Sequence, residues 1–172
     1  VSAKLVGTPA LTNTGAGTLI LNSATANTYS GGTTIGSGQA AAVLRAAATQ
    51  ALGSGTVQTD SGGNASPARL EVTNGISLNN AITLYGRNNS SVGIQSLGGN
   101  NTLSGTITVS SGGSVYQSQS DANTLTLGTA AATAITAASG SRVVTLQGAG
   151  NGSVVGNIVN GGGTVGLTKT GA

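Results

Sequence analysis

Apolar and polar residues alternate along this chain in short runs: Leu70-Glu71-Val72, Ile82-Thr83-Leu84, Leu125-Thr126-Leu127 and Val144-Thr145-Leu146. A period of two puts every second side chain on the same face of an extended strand, so each run reads as a half-buried β-strand. On this reading Leu70 and Val72 point inward and Glu71 outward. The same alternation assigns Val57, Leu78, Ile82, Leu84, Leu103, Ile107, Val109, Leu125, Leu127, Val144, Leu146 and Ile158 to the core. Gly-Gly, Asn-Gly and Ser-Gly pairs separate the runs, and these dipeptides tolerate the positive φ that tight corners need.

The runs recur. Leu78-Asn79-Asn80-Ala81-Ile82-Thr83-Leu84 matches Leu103-Ser104-Gly105-Thr106-Ile107-Thr108-Val109, and 103 − 78 = 25. Val57, Ile82 and Ile107 are then evenly spaced, with Thr33-Thr34-Ile35 and Ile135-Thr136 close to the same register. A period of about 25 residues suits one turn of a parallel β-helix built from two or three short strands. The predicted fold is all-β, a β-solenoid of about seven rungs stacked at about 4.8 Å each. Each rung touches only its neighbours, so stability is nearly one-dimensional. A longer repetition joins the ends: Leu11-Thr12-Asn13-Thr14-Gly15-Ala16 resembles Leu167-Thr168-Lys169-Thr170-Gly171-Ala172, and 167 − 11 = 156. Residues 1–172 therefore read as one solenoid segment, one unit of about six rungs in a tandem array.

Composition narrows the core and the chemistry. Charged residues are 5% of the chain and aromatics 2%, with no Phe, Trp or Met, so the core must be a thin column of Val, Ile, Leu, Ala and Thr. Disorder fits poorly, because hydrophobic residues reach 37% and the net charge is only +3. The cations Lys4, Arg45, Arg69, Arg87, Arg142 and Lys169 lie far apart in sequence, without the clustering and stacking aromatics that nucleic-acid binding uses. Cys and His are absent, which excludes zinc fingers, disulfide scaffolds, thiol catalysis and a Ser-His-Asp triad. No apolar run approaches the ~20 residues of a membrane helix. Val1–Gly7 lacks the form of a signal peptide, so the chain reads as mature, trimmed or excerpted.

Leu11-Thr12-Asn13-Thr14-Gly15-Ala16-Gly17-Thr18-Leu19-Ile20-Leu21, followed by Ala26-Asn27-Thr28-Tyr29-Ser30-Gly31-Gly32-Thr33-Thr34-Ile35, resembles the passenger-associated transport repeat of bacterial autotransporters. Ala51–Val57 and Leu70–Val72 look like its continuation, and the likeness covers the first half of the chain, as far as Tyr85. The resemblance implies a right-handed β-helix in a type V passenger, secreted or displayed on the outer surface of a Gram-negative bacterium. It also implies an outer-membrane translocator supplied elsewhere, since this chain has no β-barrel pattern of its own.

Three acids are available for chemistry: Asp60, Glu71 and Asp121. General acid–base work needs two carboxyls within several ångströms. Asp60 and Glu71 fall about half a turn apart, and Asp121 about two and a half rungs beyond Asp60, so they read as scattered solvated charges. Asp60-Ser61-Gly62-Gly63-Asn64 reads as a turn, since the repeated calcium nonapeptide is missing. Tyr29, Tyr85 and Tyr116 are open to two uses, covering corners or stacking on sugar. Asn79-Asn80, Asn88-Asn89 and Asn100-Asn101 suggest stacked amide ladders at corners. The expectation is a structural stalk or spacer of a large surface protein, not an enzyme, with no catalytic, metal or cofactor residues. Its expected partners are neighbouring copies of itself, end to end, covalently or as a fibre. The alternatives are an adhesin-like module that touches glycan or another cell, and a polysaccharide-active β-helix enzyme.

Overall fold

The computed structural model describes residues 1–36, 38, 40–60 and 66–171. Among them there is no helix, and the chain winds as a parallel β-solenoid. The first three turns contribute two strands each: β1 (Leu11–Asn13) and β2 (Gly17–Leu21), β3 (Thr33–Ile35) and β4 (Ala42–Ala46), β5 (Val57–Thr59) and β6 (Arg69–Thr73). A third strand then joins each turn. These are β7 (Ser77–Leu78), β8 (Ile82–Gly86) and β9 (Ile94–Gly98), then β10 (Asn101–Leu103), β11 (Ile107–Gly112) and β12 (Tyr116–Ser120). The last two sets are β13 (Thr124–Leu127), β14 (Thr133–Ala137) and β15 (Gly140–Gln147), then β16 (Asn151–Val154), β17 (Asn157–Val159) and β18 (Gly163–Lys169).

The first face stacks β1-β3-β5-β8-β11-β14-β17, the second β2-β4-β6-β9-β12-β15-β18, and the third β7-β10-β13-β16. Two faces are thus seven strands deep, with six turns between first and last. One column runs up the inside of the first face through Leu11, Thr33, Val57, Ile82, Ile107, Ile135 and Ile158. Its steps are uneven, from 33 − 11 = 22 between Leu11 and Thr33 to 135 − 107 = 28 between Ile107 and Ile135. The corners absorb the difference, because only the strands must keep register.

Every predicted core residue except Ile158 is buried, and Ile158 packs half-buried against the core at the last turn. The end-to-end repetition behaves differently. Leu11–Asn13 form β1 on the first face, whereas Leu167–Lys169 belong to β18 on the second. Leu11–Asn13 and Leu167–Lys169 therefore occupy different stations of the turn, and the structural counterpart of Leu11 at the far end is Ile158.

Candidate functional site

The outer side of the second face carries the ion cluster of Arg45, Arg69 and Glu71. Ile20, Arg45, Glu71, Gln95, Gln119 and Gln147 form one column. Glu71 follows the predicted alternation and points out of the core, but it is not solvated: it is 1% exposed. Arg45 Nε donates to Glu71 Oε2 at 2.7 Å, and Arg69 closes on Oε1 through Nη2 at 2.6 Å and Nε at 2.9 Å. The two guanidiniums cover the carboxylate, and its charge counters theirs. Higher in the column, Gln95 Nε2 donates to Asp121 Oδ2 at 2.8 Å and Gln119 Nε2 to Oδ1 at 2.5 Å. Gln147 Nε2 donates to Gln119 Oε1 at 2.9 Å. Neighbours on the same and adjacent rungs fill these acceptors, so the column is a structural ladder.

Asp60 lies at the exit of the first face and is 2% exposed, which corrects its reading as a solvated charge. Arg87, one rung further, is 1% exposed and donates Nη2 to the Ala68 carbonyl. Its Nε and Nη1 have no hydrogen-bond partner among the described residues. Burial pushes the Arg87 guanidinium below its usual range, and the charge of Asp60 opposes that shift. Sequence reasoning missed Arg87 as a buried cation, and nothing in its neighbourhood Arg87-Asn88-Asn89 signals it. Ser61–Asn64 of the proposed turn lie outside the described residues.

The structure does not bring Asp60, Glu71 and Asp121 together. They occupy a first-face corner, the second face and the corner after β12. Among the described residues no three acids, His or Cys gather as metal ligands. A groove of about 430 Å³ is lined by Gly31, Gly32, Gly55, Thr34 and Gln58 among others, and none of its lining residues is ionisable.

The tyrosines form no platform. Tyr29 and Tyr116 are buried, while Tyr85 is half-buried. Tyr29 Oη sits 2.7 Å from Thr33 Oγ1, and Gly53 makes room for it: a Cβ there would lie 2.2 Å from the Tyr29 carbonyl oxygen, at φ +58. Tyr116 donates to the Ser110 carbonyl, and the Arg142 guanidinium lies 5.8 Å from its ring centre. Burial raises both phenol pKa values. The Thr33 hydrogen bond works against this at Tyr29, as does the Arg142 charge at Tyr116. A phenol that holds its proton more tightly when folded lets the unfolded chain ionise first. Stability should therefore fall once pH rises past the ordinary phenol value, about 10. Ultraviolet difference titration should find two tyrosines ionising only above that range in the native chain. Ordinary titration of Tyr29 and Tyr116 would contradict their burial.

The asparagines also do something other than predicted. Asn80 is buried and its Nδ2 donates to the carbonyls of Leu52, Gly53 and Gly55 at 3.2, 3.2 and 2.8 Å. Asn101 accepts the Ile76 N–H at 2.9 Å and donates to Ser96 Oγ at 2.9 Å. Asn27, which the pattern did not single out, accepts the Leu5 N–H at 2.8 Å and donates to the Ala51 carbonyl at 2.6 Å. Asn27 and Asn80 tie one turn's main chain to the next between strands, and Asn101 does so from the start of β10, instead of stacking on each other.

No family model, no curated protein and no solved structure matches this chain.

Proposed function

We propose that this chain is a rigid spacer, a stalk segment of a large bacterial protein secreted or displayed at the cell surface, in the manner of an autotransporter passenger. The observation that carries this reading is the polar ladder along the second face and the corner after β12: Glu71 and Asp121 are each engaged by neighbours that hold successive turns together. Such groups serve the stack and are not poised for a substrate. A column of parallel strands with continuous register resists bending, and it reaches further simply by adding turns.

The test uses the absence of native cysteine. Thr18 and Thr168 are exposed on the same outer column, on β2 and β18, six strand spacings apart. Spin labels on Thr18→Cys and Thr168→Cys should give one narrow distance distribution near ~29 Å, six steps of about 4.8 Å. A broad distribution would defeat the rigid-spacer reading. So would turnover of a polysaccharide by the unlabelled chain.

A further inference from the structure

Two grooves adjoin between the second and third turns, with further turns stacked on both sides of them. The larger, of about 430 Å³, lies between residues 30–34 of one turn and 55–58 of the next. The smaller, of about 250 Å³, is lined by Asn27, Thr28, Gln50, Gly53, Ser54 and Asn79. Ser54 of the one is followed directly by Gly55 of the other. None of the residues lining either groove is ionisable or aromatic. Stacking of the turns forces the larger concavity. A Cβ on Gly31 would lie 2.4 Å from the Thr8 carbonyl oxygen, and one on Gly55 2.4 Å from the Gly32 nitrogen. Only glycine lets these corners close, so no side chain can fill the strip they occupy. The ridge between the grooves is fixed from both sides. Asn80, one turn on, holds the carbonyls of Leu52, Gly53 and Gly55, and the Ser54 N–H donates to the Tyr29 carbonyl at 3.0 Å. Gln58 Nε2 donates to Thr34 Oγ1 at 3.2 Å, which orients the amide and leaves its oxygen and second N–H for another partner. Ser30 and Thr56 are exposed and add two hydroxyls.

We propose that these grooves bind a neutral oligosaccharide. Each sugar hydroxyl both donates and accepts, and the hydroxyls and amides lining the grooves do the same. A charged ligand would give up hydration here with no opposite charge to meet it. An apolar ligand would leave the lining groups unpaired. The larger groove alone falls in the roughly 300–1,000 Å³ range of ligand sites, and the smaller one beside it takes the next unit of the same chain. The rigid ridge keeps both grooves formed before the ligand arrives, which lowers the cost of binding. No ring is available to stack on a sugar face, so hydrogen bonds carry the affinity and a short oligosaccharide binds weakly. No carboxyl lines either groove, so the sugar is held and not cleaved. This goes beyond the spacer reading and fails separately from it, because a stalk that held no sugar would still be rigid.

Titration followed by amide chemical shifts of the isotope-labelled chain tests this. The probes are neutral hexasaccharides of glucose, mannose and galactose, with hexagalacturonate as the charged control. At least one neutral probe should give saturable shifts confined to residues 27–34 and 50–58, and hexagalacturonate should give none. Gln58→Ala should weaken that binding several-fold with the rest of the spectrum unchanged. Thr108→Val, two turns along the same outer column of the first face, should leave it as it was. If Gln58→Ala disturbs the whole spectrum, Thr56→Val, at an exposed position, is read in its place. No saturable shift with any neutral probe overturns the inference. So do shifts centred elsewhere, equal binding of hexagalacturonate, or unaltered binding by the groove variant.

Discussion

Replacing Ile82 with Asp should cost about 4 kcal/mol or more, in the class of the most damaging core substitutions. Ile82 is 1% exposed and stacks between Val57 and Ile107 in the central strand of the first face. The change removes about 1.5–3 kcal/mol of apolar burial and puts a carboxylate where no donor waits. Position adds to chemistry. Three strands lie on either side of β8 on this face, so the fault divides the stack into two short halves, each with a new open edge. In a structure coupled only through nearest neighbours, neither half is rescued by the other. At roughly 2–4 °C per kcal/mol for a chain of this size, the melting midpoint should drop by about 8–16 °C. Thr83→Asp, one residue on, is the control. Thr83 is half-buried on the outer side, and that change should stay within about 0.5 kcal/mol. Equal melting of the two variants would mean that the strand's parity has been assigned the wrong way round.

What the sequence made legible, and what it did not, divides along a physical line. Alternation is a local property, so Leu70, Val72, Ile82 and Leu84 could be placed inside from their own neighbours. Burial of outward-pointing groups depends on the adjacent turns. Glu71 looks solvated until strand pairing sets Arg45 beside it, at a sequence separation of 71 − 45 = 26 that corners of unequal length conceal. Asn80 and Asn101 were noticed as corner residues, but all of Asn80's acceptors and two of Asn101's three are main-chain carbonyls that no side-chain pattern can announce. The likeness of Leu11–Ala16 to Leu167–Ala172 misled for a related reason. Similar strings fit strands of different faces, here β1 and β18, so likeness of sequence did not imply the same station on the turn. Of the charged groups, Arg87 was the least legible, because a buried guanidinium leaves no periodicity behind.

The second large effect is expected at Glu71. Glu71→Ala removes the carboxylate that both Arg45 and Arg69 hold, at 2.7 and 2.6 Å, and leaves two guanidiniums side by side. Breaking a fully buried pair from one side costs about 3–5 kcal/mol. Each Arg side chain keeps 32% of its exposure, so solvent recovers part of that, and the expected loss is about 2–3 kcal/mol. Glu71→Gln keeps the shape and one acceptor and should fall between Ala and the natural residue. Added salt should narrow the gap, because it screens the exposed part of the Arg–Arg repulsion. Removing all three charges is the decisive arm. Arg45→Met, Glu71→Leu and Arg69→Met together should melt close to or above the natural chain, since apolar replacement of a covered ion triad often costs nothing. Denaturant melts of these variants and the natural chain, with and without salt, give the ordering. If Glu71→Ala alone is as stable as the natural chain, the triad is an ordinary surface pairing and does not hold the neighbouring turns together.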